Sequence, residues 1–345
     1  MASWNDLLRE LDALPSEDRQ VEWLERKLTS ALNNVGALRK ESNVILYMTA
    51  FLQKPQAPAH LLQITAEDVN GLMSVIYGMD FAKPLTLILH TPGGVPNAAE
   101  TIVAYLRQKF PGIESGVPAL AMSAGTMVAL ASDTIVMGRP SQLGPIDPQM
   151  PMPATGRFAS ARAIVDQFDE AKKEILGNQV TAHAWAPILQ SLGPALLQEA
   201  RNALDYGETM VRKWLEAYMF AGHPDAPTKA NAAAQHFNDA ARHKSHGRRI
   251  DREEVRALGI RVEDLEDSQN LQESVLTAYH LGTIVFERGM AAKLMVGSNG
   301  RTWTKNWTDP RFVAPAVTPP SPSAPTQQPP MSRQQRRQQQ RKNQK

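Results

Sequence analysis

Three short apolar runs separated by amphipathic stretches constrain the fold of this 345-residue chain more than any other feature. The runs are LTLILH (85–90), GVPALAM (116–122) and DTIVMG (133–138), and the stretches NAAETIVAYLRQKF and AGTMVALAS between them predict helices. A strand that is apolar throughout is typical of a parallel sheet covered on both faces. The order strand, helix, strand, helix, strand therefore predicts an α/β fold with a parallel sheet, repeated β-α units and right-handed crossovers.

Composition and pattern divide the chain into three parts. Residues 1–39 predict polar amphipathic helices, residues 40–313 hold the apolar strands and a helical C-terminal portion, and residues 314–345 are rich in Pro, Gln and basic residues. The last part cannot bury enough apolar surface to offset the entropy of ordering, so we predict that it is disordered. Its final 15 residues hold six Lys or Arg and no acid. A solubilising tail is the simpler interpretation, and weak contact with nucleic acid is the alternative.

Several classes of protein are excluded or disfavoured by what the sequence lacks. There is no Cys, which excludes disulfides, thiolate catalysis and Cys-ligated zinc. The N-terminus is charged and no apolar run approaches ~20 residues, so we expect no signal peptide, no membrane span and a cytoplasmic location. No spacing of His, Asp and Glu predicts a metal site, and Gly93–Gly94 does not extend into a phosphate loop, so no cofactor is expected.

A pair of glycines and a serine follow two of the predicted strands. Gly93 and Gly94 come after the strand ending at His90, and Ser123 comes after the next strand along the chain. Because parallel strands end at the same edge of a sheet, we expect these residues to converge. Ser123 is then a candidate nucleophile, with backbone N–H groups at the glycines and at Ala124 as candidate oxyanion donors. The plainer interpretation makes Ser123 a helix N-cap and the glycines a turn.

Three segments resemble the serine dehydrogenase proteinase family, a branch of the Clp protease and crotonase-like superfamily that is related to signal peptide peptidase A. They are LILHTPGGVPNAAETIVAYL, ALAMSAGTMVALASDTIVMG and SQLGPIDPQM, and the resemblance covers about residues 40–150. It implies a Clp/crotonase-like core and a serine peptidase that acts on peptide or protein substrates. It also implies an oxyanion hole at Gly93–Gly94, a nucleophile at Ser123 and a homo-oligomer.

The general base is the least determined part of the predicted site. The family order Ser, Asp, His implies Asp147, in GPIDPQ, and His246, in HKSHGRRID, although the neighbouring His243 remains an alternative. The simple Clp order is absent because no His lies between His90 and His183.

Signal peptide peptidase A uses a Lys well after its Ser, which makes Lys172 and Lys173 alternative bases, 49 and 50 residues after Ser123. A Lys base must be desolvated to lower its pKa, and the charged context DEAKKEILG favours a solvated helix face instead.

Other functions are compatible with parts of the sequence. The segment Ala121–Gly125 lacks the first Gly of the α/β-hydrolase elbow, so that fold has little support. A non-catalytic oligomeric scaffold of the same fold is one alternative. A crotonase-type enzyme acting on acyl thioesters is another, and Ser123 would have no role in it.

Overall fold

The computed structural model describes residues 3–152, 156–192, 195–309 and 333–343, and their strands form one large sheet and two small ones. In chain order the strands are β1 (Asn43–Thr49), β2 (Leu85–His90), β3 (Ile113–Val117), β4 (Leu120–Ala121), β5 (Thr134–Met137), β6 (Gln142–Leu143), β7 (Gln149–Met152), β8 (Arg157–Ser160), β9 (Val262–Asp264), β10 (Ala291–Gly297) and β11 (Thr302–Asn306). The large sheet has the order β11-β10-β1-β2-β3-β5-β9, β4 pairs with β6, and β7 pairs with β8.

The centre of the large sheet is parallel and one flank is antiparallel. The pairs β1 with β2, β2 with β3, β3 with β5 and β5 with β9 are parallel. Strand β10 lies antiparallel to β1, and β11 lies antiparallel to β10. The predicted parallel core with repeated β-α units is confirmed, and the late antiparallel pair was not predicted.

Helices occupy much of the rest of the described chain. They are α1 (Trp4–Asp12), α2 (Glu17–Leu38), α3 (Ala59–Leu62), α4 (Asp68–Ile76), α5 (Pro96–Lys109), α6 (Ala124–Leu130), α7 (Ala161–Gly177), α8 (Ala182–Leu192), α9 (Leu196–Ala217), α10 (Ala226–Asn238), α11 (Ala240–His243), α12 (Arg252–Ala257), α13 (Gln269–Arg288) and α14 (Arg333–Lys342). The predicted helical C-terminal portion corresponds to α7 to α13.

Two apolar cores cover the two faces of the sheet. Alternate residues of β2 point to opposite sides, so Leu87 joins one core and Ile88 the other. The first core includes α4, α5, α6, α9 and α10, and the second includes α1, α2 and α13. The boundary predicted at residue 39 lies between α2 and β1, which contribute to the same core. The described residues up to Trp307 fall within one compact unit, and the described residues from Thr308 onward belong to a second.

The strand predicted to run to Met122 is interrupted in the structure. Strand β3 ends at Val117, and β4 is a separate strand that pairs with β6 rather than with the large sheet. Pro118 lies at the break, and a proline has no N–H to donate to a ladder. The interruption turns the chain so that β4 bridges Thr91 through Ala121.

Part of the C-terminal tail lies within the described residues. Residues 333–342 form α14 there, and the disorder expected from 314 onward stays a prediction. Arg, Gln and Lys are strong helix formers, which accounts for a helix without an apolar face. The predicted disorder of 314–332 falls outside the described residues.

Within the described chain, no helix combines the length and the apolar character that crossing a bilayer requires.

Candidate active site

The segments that follow β2 and β4 lie side by side. The N–H of Thr91 donates to the carbonyl of Leu120 at 2.9 Å, and the N–H of Met122 donates to the carbonyl of Thr91 at 3.0 Å. These bonds form a parallel bridge between Thr91 and Ala121. The glycine turn and Ser123 therefore emerge next to each other.

Ser123 adopts a strained backbone conformation at the start of α6. Its φ is 49° and its ψ is −117°, in a region that a residue with a Cβ rarely occupies. Such a conformation costs about 1–3 kcal/mol and recurs at functional sites. The Ser123 side chain makes no capping hydrogen bond to α6 and is partly exposed. The hydroxyl therefore does not perform the N-cap role that was its plainer interpretation.

Gly93 packs directly against the nucleophile candidate. A Cβ added to Gly93 would lie 2.6 Å from Ser123 Cβ, 2.6 Å from the carbonyl oxygen of Met122 and 3.0 Å from the nitrogen of Ala124. The φ of Gly93 is 101°, so both space and conformation require glycine here. Its own N–H donates to Thr91 Oγ1 at 3.2 Å. The absence of a side chain at Gly93 thus lets the turn lie close to Ser123. The N–H of Gly93 is already bonded to Thr91.

Gly94 is held from the opposite side by Ile64. The N–H of Ile64 donates to the carbonyl of Gly93 at 2.7 Å, and the N–H of Val95 donates to the carbonyl of Ile64 at 2.9 Å. This parallel bridge uses the residues before and after Gly94, so the N–H of Gly94 itself points away from Ile64. The N–H of Ala124, at the first position of α6, has no intrahelical acceptor. Two backbone donors are therefore available near Ser123.

Asp147 and His246 form a hydrogen-bonded pair. His246 Nδ1 donates to Asp147 Oδ1 at 2.8 Å, and the side chains are 30% and 3% exposed respectively. Gln149 Nε2 donates to the other carboxylate oxygen at 2.7 Å. In a neutral imidazole, a carboxylate that accepts from Nδ1–H selects the tautomer in which Nε2 carries the free lone pair.

Backbone pairing connects this pair to the Ser123 segment. Leu143 of β6 and Ile250 exchange two hydrogen bonds, of 3.0 and 2.9 Å, which ties the chain just after His246 to the chain just before Asp147. Strand β6 pairs in turn with β4, through Ala121 and Leu143. The structure thus brings the 120–123, 142–147 and 246–250 segments to one region.

His243 has a different role from His246. Its Nε2 donates to the carbonyl of His236 at 2.6 Å, and its Nδ1 accepts from Arg248 at 2.8 Å, so both ring nitrogens are engaged and the ring is buried. Arg248 also makes two hydrogen bonds to Glu254, of 2.8 and 2.9 Å. Arg248 therefore ties the loop that carries His246 to α11 and α12.

The side chains around Arg248 include residue types that bind metals. Ligand atoms of His236, His243 and Glu254 lie within 4.8 Å of one another. However, Arg248 donates to His243 and Glu254. Its guanidinium therefore provides the positive charge that a metal ion would otherwise provide. Burial favours a higher pKa for Glu254, but hydrogen bonds from Arg248 and His236 outweigh it and lower that pKa below its ordinary value.

Lys172 and Lys173 do not meet the requirement for a base. Both are exposed on α7. A Lys acting as a base needs the burial that lowers its pKa, and an exposed position does not supply it.

Sequence reasoning missed two contributors, Ile64 and Arg248. Ile64 acts through its backbone, which leaves no side-chain pattern in the sequence. Arg248 directly follows the HKSHG segment, so its proximity to His243 and His246 was available as a signal.

Residues 39–176 match the family model described as ClpP-like SDH-type serine proteinase. The match confirms the resemblance seen in the motifs, and it supports a serine peptidase. His246 lies outside the matched residues.

Similar curated proteins have no characterised function. The chain is 32% identical over 166 residues to uncharacterized protein MJ0137 of Methanocaldococcus jannaschii, covering 45% of this chain and 55% of that protein. It is 33% identical over 110 residues to uncharacterized protein MJ1495 of the same organism, covering 32% of this chain and 36% of that protein. The chain thus spans about half of the first relative and about a third of the second.

Similar solved structures include two proteases. One is a mutant of the 1510-N membrane-bound stomatin-specific protease, 20% identical with a TM-score of 0.37, covering 72% of this chain and 89% of that chain. Another is a mutant of ClpP1 from Listeria monocytogenes, 12% identical with a TM-score of 0.34, covering 72% of this chain and 99% of that chain.

Proposed function

Because residues 39–176 match the ClpP-like SDH-type serine proteinase family, we propose that this chain hydrolyses peptide bonds through an acyl-enzyme at Ser123. The observation that carries the proposal is the placement of Ser123. Its hydroxyl is not used as a helix cap, its backbone is strained, and it packs against Gly93. Strained backbone conformations persist only where the surrounding structure enforces them, and they cluster at active sites.

In the proposed acylation step, Ser123 Oγ attacks the carbonyl carbon of the substrate as its proton passes to Nε2 of His246. The tetrahedral intermediate carries its negative charge on the former carbonyl oxygen. When it collapses, the carbon–nitrogen bond breaks and His246 returns the proton to the leaving amine. Water then repeats the sequence on the ester, releasing the acid and restoring Ser123.

Asp147 orients the base in this scheme. Its buried carboxylate accepts from Nδ1 of His246 at 2.8 Å, which fixes the tautomer with a free Nε2 and stabilises the imidazolium formed during attack. His243 does not suit the same role because both of its ring nitrogens are engaged.

The N–H groups of Gly94 and Ala124 are the proposed oxyanion donors. Donors that are fixed in place before the reaction stabilise charge as it develops, and loss of one such donor in a serine protease lowers kcat by about 10²–10³-fold.

The predicted homo-oligomer and cytoplasmic location are separate predictions from the sequence, and light scattering of the purified chain tests the first of them.

A fluorophosphonate probe, which modifies activated serines, tests the proposal. We expect it to label wild-type protein at Ser123, as located by peptide mapping, and to leave Ser123→Ala unlabelled with a melting temperature close to wild type. Ser74→Ala is the matched control, because Ser74 is an exposed serine on α4, and it should label like wild type. Label on another residue, or none at any pH, would contradict the proposal and favour the non-catalytic scaffold.

A further inference from the structure

A buried ion pair lies beside the glycine turn. Lys293 of β10 donates from Nζ to Asp68 Oδ1 at 2.6 Å, and the two side chains are 1% and 0% exposed. Tyr47 of β1 donates to the other carboxylate oxygen at 2.7 Å. An apolar pair of similar size is often as stable as a buried ion pair, so stability alone gives no reason for this one.

Each member of the pair also holds the backbone of one short segment. Lys293 Nζ donates to the carbonyl of Gln63 at 2.7 Å, and Asp68 Oδ2 accepts from the N–H of Thr65 at 2.9 Å. Gln63 and Thr65 are the two neighbours of Ile64. The pair therefore fixes the chain on both sides of that residue.

Ile64 in turn fixes the turn that carries the proposed oxyanion donor. It bonds to Gly93 and to Val95 on either side of Gly94. A Cβ at Gly94 would lie 2.3 Å from the carbonyl oxygen of Ile64, so the two backbones are in direct contact. A shift of Ile64 is thus transmitted to the direction of the Gly94 N–H.

We propose that Lys293 and Asp68 are positioning residues that hold the N–H of Gly94 at the oxyanion site through Ile64. The inference rests on the proposed function, because it assigns a purpose to the geometry of that same site. The oxyanion exists only during the reaction. Loss of the pair should therefore lower kcat and leave KM nearly unchanged.

The test compares Lys293→Met and the double variant Lys293→Met/Asp68→Asn with wild type. The double variant leaves no unpaired buried charge, so it keeps the test usable where the single variant folds poorly. Hydrolysis of p-nitrophenyl acetate, corrected for the rate of Ser123→Ala, gives kcat and KM. We expect kcat to fall about 10–100-fold with KM within about twofold of wild type.

Hydrogen exchange gives a second readout that does not depend on activity. The amides of Ile64 and Val95, which form the bridge to the turn, should exchange at least about tenfold faster in both variants. Lys54→Met is the matched control. Lys54 also donates to two backbone carbonyls, those of Gly289 and Ala291, and none of its described hydrogen bonds reaches residues 63–68, so kcat and exchange at the turn should stay within about twofold of wild type.

The outcomes separate this inference from the proposed function. Unchanged kcat and unchanged exchange in the folded double variant would overturn the positioning role while leaving Ser123 chemistry intact. Faster exchange with unchanged kcat would also overturn it, since the turn would then move without consequence. If wild type shows no Ser123-dependent hydrolysis, the proposed function fails, and the positioning role at the oxyanion site fails with it. Exchange at Ile64 and Val95 would then report only whether the pair holds the turn.

Discussion

The Ser123 side of the proposed site is held by backbone hydrogen bonds and steric contact, whereas the His246 side is held by charged side chains on an irregular loop. On the first side, Thr91, Gly93 and Ser123 are fixed by bridges between strand ends. On the second, His246 depends on a pairing with Asp147 and on a loop tied by Arg248. The two sides should therefore respond to different substitutions, the first to added volume and the second to lost charge.

The largest expected effect comes from removing the base or its partner. His246→Ala should lower the rate of acylation by several orders of magnitude, and Asp147→Asn by about 10⁴-fold, because the wrong tautomer would be favoured. Residues that act as a unit are not additive, so Ser123→Ala/His246→Ala should be scarcely slower than Ser123→Ala. Single-turnover labelling kinetics measure these rates. Near-normal acylation by His246→Ala would show that His246 is not the general base.

Added volume should break the backbone side. Gly93→Ala places a methyl group 2.6 Å from Ser123 Cβ, and we expect activity to fall by about 10²–10³-fold through displacement of the turn. Gly78→Ala is the matched control, because Gly78 also has a positive φ, of 83°, but open space around it. It should lose about 1 kcal/mol of stability and keep its activity. Equal losses of activity in the two variants would show that the loss comes from the strain of a positive φ and not from contact with Ser123.

Acid should act on the sheet through His90, which lies at the end of β2 between the rings of Phe51 and Tyr279. Neither of its ring nitrogens has a hydrogen-bond partner among the described residues, and burial lowers its pKa to about 4. Between pH ~6.5 and ~4 the unfolded chain binds a proton at this position that the folded chain does not. Stability should therefore fall as pH falls through this window, by about 3 kcal/mol in total.

Denaturant titrations at pH 7 and pH 4.5 measure this loss. In His90→Leu the pH dependence should be flatter by most of that amount. An unchanged slope would mean that acid acts mainly elsewhere, for example on the charged loop.

Lost charge on the loop should have a moderate effect. Arg248→Met removes the bonds to His243 and Glu254, and we expect kcat/KM to fall about tenfold as His246 becomes less well placed, with labelling still at Ser123. The neighbouring Arg249 contacts only the carbonyl of Arg139 among the hydrogen bonds described, so Arg249→Met should behave like wild type. A similar fall in both variants would point to net charge rather than to loop position.

The smallest effect is expected at the alternative bases. Lys172→Ala and Lys173→Ala remove exposed side chains of α7, so activity should change by less than about twofold. The same hydrolysis assay serves as the measurement. A dead lysine variant together with an active His246→Ala would identify a Ser-Lys peptidase on this fold.

The parallel core and the convergence of the glycine turn with Ser123 were predictable, because both follow from the order of buried strands. The proximity of Asp147 and His246 came only from the family resemblance, since 99 residues separate them. Their catalytic roles stay predictions. The break before β4 was missed although Pro118 signals it.

The pairing of β10 with β1 could not be predicted by the same means. Residues 291–297 are apolar enough for a strand, but no local pattern indicates which edge of the sheet they join. The Lys293 and Asp68 pair depends on that pairing. In the sequence they are an ordinary lysine and an ordinary aspartate.

The late position of β10 affects the order in which the site matures during synthesis. Asp68 and Lys293 are 225 residues apart, so at about 5–20 residues per second the ribosome needs roughly 10–45 s to pass from one to the other. For most of that interval, once Ser123 has been made, the nascent chain contains Ser123 and the glycine turn but not the lysine proposed to hold the turn in place. On this proposal, the full rate of hydrolysis is reached only after most of the polypeptide has been made.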